Sequence, residues 1–87
     1  MASYRLTFKK SVTKDLRSIP KNDAARILKR IEALADDPRP VGSEKLSGLE
    51  RFRLRQGVYR IVYEIKDAEL VIIVVKVGHR REVYRVS

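Results

Sequence analysis

The sequence predicts an α+β fold in which two N-terminal helices pack on one face of a mainly antiparallel, twisted sheet. The elements are expected in the order β-α-α-β-β-β(-β). Two observations support this order: helical spacing of apolar residues between positions 11 and 35, and alternation of β-branched or aromatic residues from position 51 onward. The 87 residues are expected to form a single domain, 1–87, around one core.

The N-terminal part is predicted to contain one strand and two helices. Apolar and polar residues alternate from Tyr4 to Phe8, which is typical of a half-buried strand. Ser11 or Thr13 is expected to cap the first helix, and Pro20 to end it and prepare the start of the second. The second helix is expected to end before Pro38, because the residue preceding a proline disfavours the α region. Its apolar face consists of Ala24, Ile27, Leu28, Ile31, Leu34 and Ala35.

The segment from Arg51 to Tyr63 is predicted to be a β-hairpin that turns at Gln56-Gly57. Side chains alternate between the faces of a strand, so the arginines of the first strand share one face and the apolar residues between them share the other. The second strand adds one more arginine. Because like charges facing each other across a sheet repel, such a cluster indicates a surface that holds an anion such as phosphate. Its members are Arg51, Arg53, Arg55 and Arg60.

Further segments complete the predicted sheet. The connector over residues 39–48 is expected to be a loop. The β-branched run from Leu70 to Val77 is expected to be a central strand covered on both faces. The segment from Gly78 to Arg81 interrupts the pattern, and Glu82 to Val86 is expected to form a last short strand. The face that carries the arginines is expected to be open and concave, since sheets twist.

Several classes of site and of location are disfavoured by composition. The chain has no cysteine and one histidine, which excludes disulfides, thiol nucleophiles and metal sites rich in these residues. Sequence motifs for nucleotide, zinc, serine-hydrolase and calcium sites are also missing, so no metal and no cofactor is expected. The longest apolar run, Leu70 to Val75, is too short to span a membrane, and the first residues lack the apolar core of a signal peptide. A cytoplasmic location is therefore expected.

Charge is the most informative property of the composition. Twenty Lys and Arg residues against eleven Asp and Glu residues give a formal net charge of +9. An excess of this size favours a polyanionic partner, such as nucleic acid, an acidic membrane surface or an acidic protein. A solvated surface kept for solubility is the alternative. The C-terminal part favours arginine over lysine, and the planar guanidinium suits paired contacts to phosphate. The composition therefore favours a partner that contains phosphate groups.

Three short stretches carry a resemblance to a known family. They read KLSG, YRIVY and VGHRREVY, in this order, in a short basic chain. With the opening strand and the helix pair, they resemble the RelE branch of the RelE/ParE superfamily of bacterial and archaeal toxins. The resemblance implies a RelE-like fold and the toxin of a type II toxin–antitoxin system. It also implies cleavage of mRNA in the ribosomal A site, and a cognate antitoxin that forms a hetero-oligomer with the toxin.

The resemblance also implies roles for individual residues. Arg60 and Arg80 match the arginines that contact the scissile phosphate, and Tyr84 matches the C-terminal tyrosine. Arg51 and Arg53 stand where the family often has lysines; arginine keeps the charge but stays protonated. The catalytic candidates are Arg53, Arg60, Arg80, Tyr84 and His79, and the RNA-binding candidates are Arg51, Arg55, Arg81 and Lys45.

The implied reaction needs no metal: an RNA 2′-hydroxyl attacks the adjacent phosphate. Two side chains compete for the role of general base. Nearby arginines favour the phenolate form of Tyr84, whereas His79 titrates near neutrality without help, or is a loop histidine with no catalytic part. Two other functions stay open, a ParE-like inhibitor of DNA gyrase and a non-catalytic RNA-binding module. The presence of Arg60, Arg80 and Tyr84 together favours the RelE branch.

Overall fold

The computed structural model describes residues 3–46 and 50–81. In these ranges the strands and α-helices are β1 Arg5–Phe8, α1 Lys10–Arg17, α2 Lys21–Leu34, β2 Glu44–Lys45, β3 Arg51–Gln56, β4 Tyr59–Lys66 and β5 Val71–His79. A 3₁₀ turn, Asp67–Glu69, joins β4 to β5. The short strand expected over residues 82–86 lies outside the described residues. None of the helices in the described ranges has the length and apolar character needed to cross a membrane.

The five strands form one sheet in the order β1-β5-β4-β3-β2. The pairs β2–β3, β3–β4 and β4–β5 are antiparallel, whereas β1 runs parallel to β5 with Arg5 opposite Val71. The predicted α+β fold with a mainly antiparallel sheet is confirmed. The order of the strands places the N-terminal strand beside β5, a pairing that local sequence patterns do not reveal.

The helices begin where the chain leaves the sheet. The backbone N–H of Lys9 still donates to the carbonyl of Val74 at 3.0 Å, and α1 starts at the next residue. Ser11 and Thr13 therefore lie inside α1, and the prediction that either one caps it is wrong; Lys9 is the N-cap, without a side-chain hydrogen bond. Pro20 does separate the helices, as the N-cap residue of α2.

Both helices pack on the same face of the sheet, and the core lies between them. The buried residues of α2 are Ile27, Ile31 and Leu34, which confirms its predicted apolar face, although Leu28 is 37% exposed. The core cluster comprises Val12, Ile19, Ile27, Ile31, Leu34, Phe52, Leu54, Ile61, Tyr63, Ile65, Ile72, Val74 and Val77. The strand residues in this cluster define the helix face of the sheet.

β5 lies between β1 and β4, as a central strand should, but over residues 71–75 only its helix face is buried. Val71, Ile73 and Val75 are half-buried, so the expectation that both faces of this strand are covered is wrong. β1 pairs with β5 only as far as Val74. Beyond that point Asp15 of α1 provides the hydrogen-bond acceptors at the edge of β5. Its carboxylate accepts hydrogen bonds from the Val77 backbone N–H at 3.3 Å and from Lys76 Nζ at 3.1 Å.

The β3–β4 hairpin forms as predicted, with its turn displaced by one residue. Gln56 pairs with Tyr59, so the turn consists of Gly57 and Val58. Gly57 has φ +60°, a conformation that glycine adopts without steric cost and that suits a two-residue hairpin turn. The connector predicted as a loop contains β2, which pairs with β3 through only two residues, Glu44 opposite Arg53 and Lys45 opposite Phe52.

Candidate functional site

The arginines of the hairpin lie together on the sheet face opposite the helices. Residues paired directly across antiparallel strands point to the same side. Arg51 pairs with Glu64, Arg53 with Val62, and Arg55 with Arg60. We call this side of the sheet, which carries Arg51, Arg53, Arg55 and Arg60, the arginine face. The sequence prediction that the four arginines share one face is confirmed.

Arg60 is the most buried of the four, with 6% of its surface exposed. Its Nη1 donates hydrogen bonds to the carbonyls of Gly57, at 3.0 Å, and Tyr59, at 2.9 Å, both at the hairpin turn. Gly78, opposite Arg60 on β5, adds no side chain at this position. The turn thus holds the guanidinium in one orientation. Within residues 3–46 and 50–81, Nε and Nη2 of Arg60 have no hydrogen-bond partner.

Two of the remaining arginines are paired with carboxylates. Arg51 Nε lies 2.8 Å from Glu64 Oε2, and Arg53 Nη2 lies 2.9 Å from Glu44 Oε2. Arg55 is exposed and, among the described residues, makes no side-chain hydrogen bond or ion pair. A small polar recess is lined by Gly42, Glu44, Arg53, Arg55 and Arg60. Three arginine side chains and one glutamate therefore line the same recess of the arginine face.

Arg80 lies near the turn end of this face. Its backbone N–H donates to the carbonyl of Val58 at 2.8 Å, which places it beside the hairpin turn. Arg80 and Arg81 are both exposed. Tyr84 lies outside the described residues. The structure thus brings Arg53, Arg55 and Arg60 together and places the Arg80 backbone at the same end of the sheet.

His79 lies on the helix face, away from the arginines. It pairs with Tyr59, and the two rings meet edge to face with centroids 6.3 Å apart. The Tyr59 hydroxyl donates to Asp23 of α2 at 3.3 Å. Burial, followed by the charge of Asp23, raises the pKa of Tyr59. The sheet therefore separates His79 from Arg60, and the described geometry does not bring this histidine to the candidate catalytic group.

Lys45 also points away from the arginine face. It is paired with Phe52, a residue of the helix face, and its Nζ lies 3.6 Å from Glu50 Oε1. Its exposed position on the edge strand leaves it accessible to solvent. Lys45 is therefore not part of the recess that Arg53, Arg55 and Arg60 line.

The connector that carries Glu44 is held at its start by contacts on the helix face. Tyr63 is fully buried and its hydroxyl donates to the Pro38 carbonyl at 2.8 Å; burial raises the pKa of Tyr63 to about 12. Arg39 forms an ion pair with Asp67 at 2.7 Å, and its guanidinium carbon lies 5.3 Å from the centre of the Phe52 ring. Hydrogen bonds from Arg39 and then from Tyr4 lower the pKa of Asp67. These contacts fix the direction in which the connector runs towards Glu44.

Sequence reasoning missed Glu44 as a member of the site. It lies in the segment predicted to be a loop, and a two-residue strand is too short to show an alternating pattern. The only usable signal was an acidic residue close in sequence to a strand rich in arginine. Glu64 of β4 is the other carboxylate of this face among the described residues, and it forms an ion pair with Arg51.

Comparison with known proteins identifies the family. Residues 6–84 match the model of the ParE toxin of the type II toxin–antitoxin system parDE. The chain is 30% identical to the mRNA interferase toxin RelE of Escherichia coli K12, over 94% of this chain and 90% of that protein. Its fold is similar to that of the archaeal RelE–RelB complex from Pyrococcus horikoshii OT3, with a TM-score of 0.81 and 32% identity over 90% of this chain and 96% of the other.

A second structure, the intact RelBE toxin–antitoxin complex of Escherichia coli, has a TM-score of 0.75 and 28% identity over 88% of this chain and 96% of the other. The matches cover nearly the whole of each protein, so they concern the fold as a unit and not a local motif. The chain therefore belongs to the RelE/ParE superfamily and is the toxin of a type II toxin–antitoxin system.

Proposed function

We propose that this toxin is an endoribonuclease that cuts mRNA on the ribosome, and that the RNA phosphate binds on the arginine face. The convergence of Arg53, Arg55 and Arg60 on one recess is the observation that supports this proposal most directly. A guanidinium donates paired hydrogen bonds to phosphate oxygens, and a water-poor setting strengthens each of them. The relatives named mRNA interferase support the same activity.

The proposed reaction is attack of an RNA 2′-oxygen on the adjacent phosphorus. The bond from phosphorus to the 5′-oxygen breaks, which leaves a 2′,3′-cyclic phosphate and a 5′-hydroxyl end. The 2′-hydroxyl loses its proton to a general base, and the departing 5′-oxygen gains one. Arg53 and Arg60 stabilise the charge that develops on the phosphoryl oxygens, and Arg80 contacts the leaving oxygen or the phosphate.

Tyr84 is the proposed general base, because it matches the C-terminal tyrosine of the family and because a guanidinium group beside a phenol would favour the phenolate form. His79 is the weaker candidate, because it contacts Tyr59 on the helix face of the sheet. Positioning of the RNA in an in-line geometry is the remaining requirement, and we assign that task to the ribosome. Cleavage of free RNA is then expected to be slow. No metal takes part in this scheme.

The partner that restrains the toxin is proposed to be a cognate antitoxin encoded with it, in a hetero-oligomer in the cytoplasm. Several structural relatives are complexes of RelE with RelB. The toxin's net charge of +9 offers a physical basis for the same arrangement here. An acidic or amphipathic segment that covers the helices or the arginine face would neutralise charges that otherwise repel one another.

Arg60→Ala is the variant that tests the proposal. Loss of one phosphate-stabilising cation is expected to slow cleavage of ribosome-bound mRNA by about 10²–10³-fold, by analogy with loss of an oxyanion-hole donor. Arg17→Ala, which removes an exposed arginine of α1, is the matched control and should retain activity. Product ends are identified by ligation chemistry specific for 5′-hydroxyls. A loss of less than tenfold for Arg60→Ala contradicts a catalytic role for this residue.

Inhibition of DNA gyrase is the second candidate function, and the match to the ParE toxin model favours it. A supercoiling assay run beside the ribosome cleavage assay separates the two. Gyrase inhibition without mRNA cleavage replaces our proposal with the ParE activity. Binding of RNA that weakens steeply with salt, without 5′-hydroxyl products, indicates a non-catalytic RNA-binding module instead.

A further inference from the structure

Glu44 is the one carboxylate that lines the arginine recess among the described residues. Its Oε2 lies 2.9 Å from Nη2 of Arg53, within range of a strong charge-assisted hydrogen bond. The side chain of Arg53 is 21% exposed, whereas that of Glu44 is 60% exposed. The carboxylate of Glu44 thus already binds the guanidinium of Arg53, a residue that lines the recess.

The second carboxylate on the arginine face differs from Glu44 in its surroundings. Glu64 lies on the central strand β4, is 19% exposed, and contacts both Arg51 and, at 4.0 Å, Lys66. Glu44 lies on β2, an edge strand that pairs with β3 through two residues only. An exposed side chain on a short edge strand can rotate into water with little loss of packing. Glu64 is built into the sheet, whereas Glu44 is displaceable.

A carboxylate and a phosphate compete for the same donors of a guanidinium. Both are anions with oxygens that accept the hydrogen bonds of the guanidinium fork. We propose that Glu44 is a built-in competitor of RNA phosphate for Arg53, so that RNA must displace the Glu44 carboxylate before Arg53 can contact it. This inference rests on the proposed function, since it assumes that the arginine face binds RNA phosphate.

The competitor lowers the affinity of the arginine face for polyanions in general. A protein of net charge +9 binds RNA non-specifically through phosphate contacts. Each cation that is already paired contributes less to such binding, because the pair must first be broken. Glu44 thus selects for RNA that is held in place by other contacts, and against loosely bound free RNA.

Binding of a fluorescent 2′-O-methyl RNA 12-mer, which lacks the attacking hydroxyl, tests the inference without cleavage. Glu44→Gln removes the charge and keeps the size of the side chain. Glu50→Gln is the matched control: it removes one negative charge from a side chain that is 69% exposed and frees Lys45, which lies outside the recess. Thermal unfolding of both variants establishes that the fold is retained. The fluorescence anisotropy is measured at several salt concentrations.

Glu44→Gln is expected to bind the RNA about three- to tenfold more tightly than Glu50→Gln. This gain in affinity is the contribution expected of an exposed or half-buried ion pair that no longer has to be broken. Its salt dependence should also steepen, by about 0.7 in the slope of log affinity against log salt, as for one further phosphate contact on a single strand. Equal affinities of the two variants, or weaker binding by Glu44→Gln, overturn the inference. Absence of RNA binding by every variant and by the wild type overturns the proposed function as well.

Discussion

Arg55 and Arg60 lie directly opposite each other on neighbouring strands, so two like charges share one cross-strand position. Such pairs destabilise a sheet, and neither side chain forms an ion pair with a described residue. The exposed Arg55 and the buried Arg60 line the same recess. The arrangement is unfavourable for folding alone and favourable for holding an anion between the two strands.

Arg55→Thr is therefore expected to stabilise the fold and weaken RNA binding. Removal of the repulsion and introduction of a β-branched residue should raise the free energy of unfolding by roughly 0.5 kcal/mol. Urea denaturation gives this value, and the binding assay with 2′-O-methyl RNA gives the affinity. Arg51→Thr is the control and should destabilise, because it breaks the ion pair with Glu64. A stability loss for Arg55→Thr would show that the opposed charges carry no cost.

Tyr63 is expected to make the free energy of unfolding decrease at alkaline pH. Burial raises its pKa to about 12, so the folded state keeps the phenol neutral while the unfolded state ionises it from about pH 10. The resulting stability is fully present below pH 10 and is lost as the pH rises towards 12, with a total of roughly 2–3 kcal/mol.

Tyr63→Phe is expected to flatten this alkaline loss. It should also cost about 1 kcal/mol near neutral pH, because the hydrogen bond to the Pro38 carbonyl disappears. Free energies of unfolding measured from pH 8 to 12 check both effects. Tyr4 and Tyr59 also have raised pKa values, so part of the slope remains in the variant. An unchanged slope would contradict the assignment to Tyr63.

Asp15 is expected to stabilise the edge of the sheet. Asp15→Ala leaves the Val77 N–H and the Lys76 ammonium without their acceptor and should lower the free energy of unfolding by about 1–3 kcal/mol. Asp15→Asn keeps an oxygen for the backbone N–H and should cost less. Glu32→Ala, an exposed substitution on α2, serves as the control. Equal losses for the two Asp15 variants would show that only the charge matters.

The general base is tested by one substitution at each of the two candidate residues. His79→Gln should retain mRNA cleavage within a few-fold, since the ring lies on the helix face, whereas Tyr84→Phe should lose about 10²–10⁴-fold, the usual contribution of a general base. Single-turnover rates are measured against pH in programmed ribosomes. Full activity of Tyr84→Phe removes the tyrosine from the mechanism, and a large loss for His79→Gln restores the histidine as the base.

The arginine face could be predicted because it depends on a local property. Alternation with period two places Arg51, Arg53 and Arg55 on one side of a strand, and a hairpin brings the partner strand alongside. The turn was predicted one residue early, because Gly57 can occupy either position of a two-residue turn and the sequence does not choose between them. The buried face of α2 was predictable for the same reason, since its apolar residues recur with helical spacing over several turns of the helix.

The position of His79 could not be predicted, because it depends on a bulge. The register of β4 and β5 shifts between Val62 and Tyr63, where Tyr63 faces Val74 and Val62 faces Lys76. The additional residue in β5 reverses the alternation, so Val77 and His79 fall on the helix face. A uniform run of β-branched residues gives no signal for such a bulge. The parallel pairing of β1 with β5 is also invisible locally, since it joins distant parts of the chain.

That parallel pairing has a consequence for when the toxin can become active. Residues 5–8 have their partner strand only at residues 71–74, so a growing polypeptide carries an unfinished sheet until that strand has been made. Contacts between such distant segments form late, because closing a long loop costs entropy before it yields any contact. A ribosome making this protein therefore holds an incomplete sheet until residues 71–74 have been synthesised. The topology of the sheet therefore places completion of the folded toxin well after synthesis of its N-terminal strand.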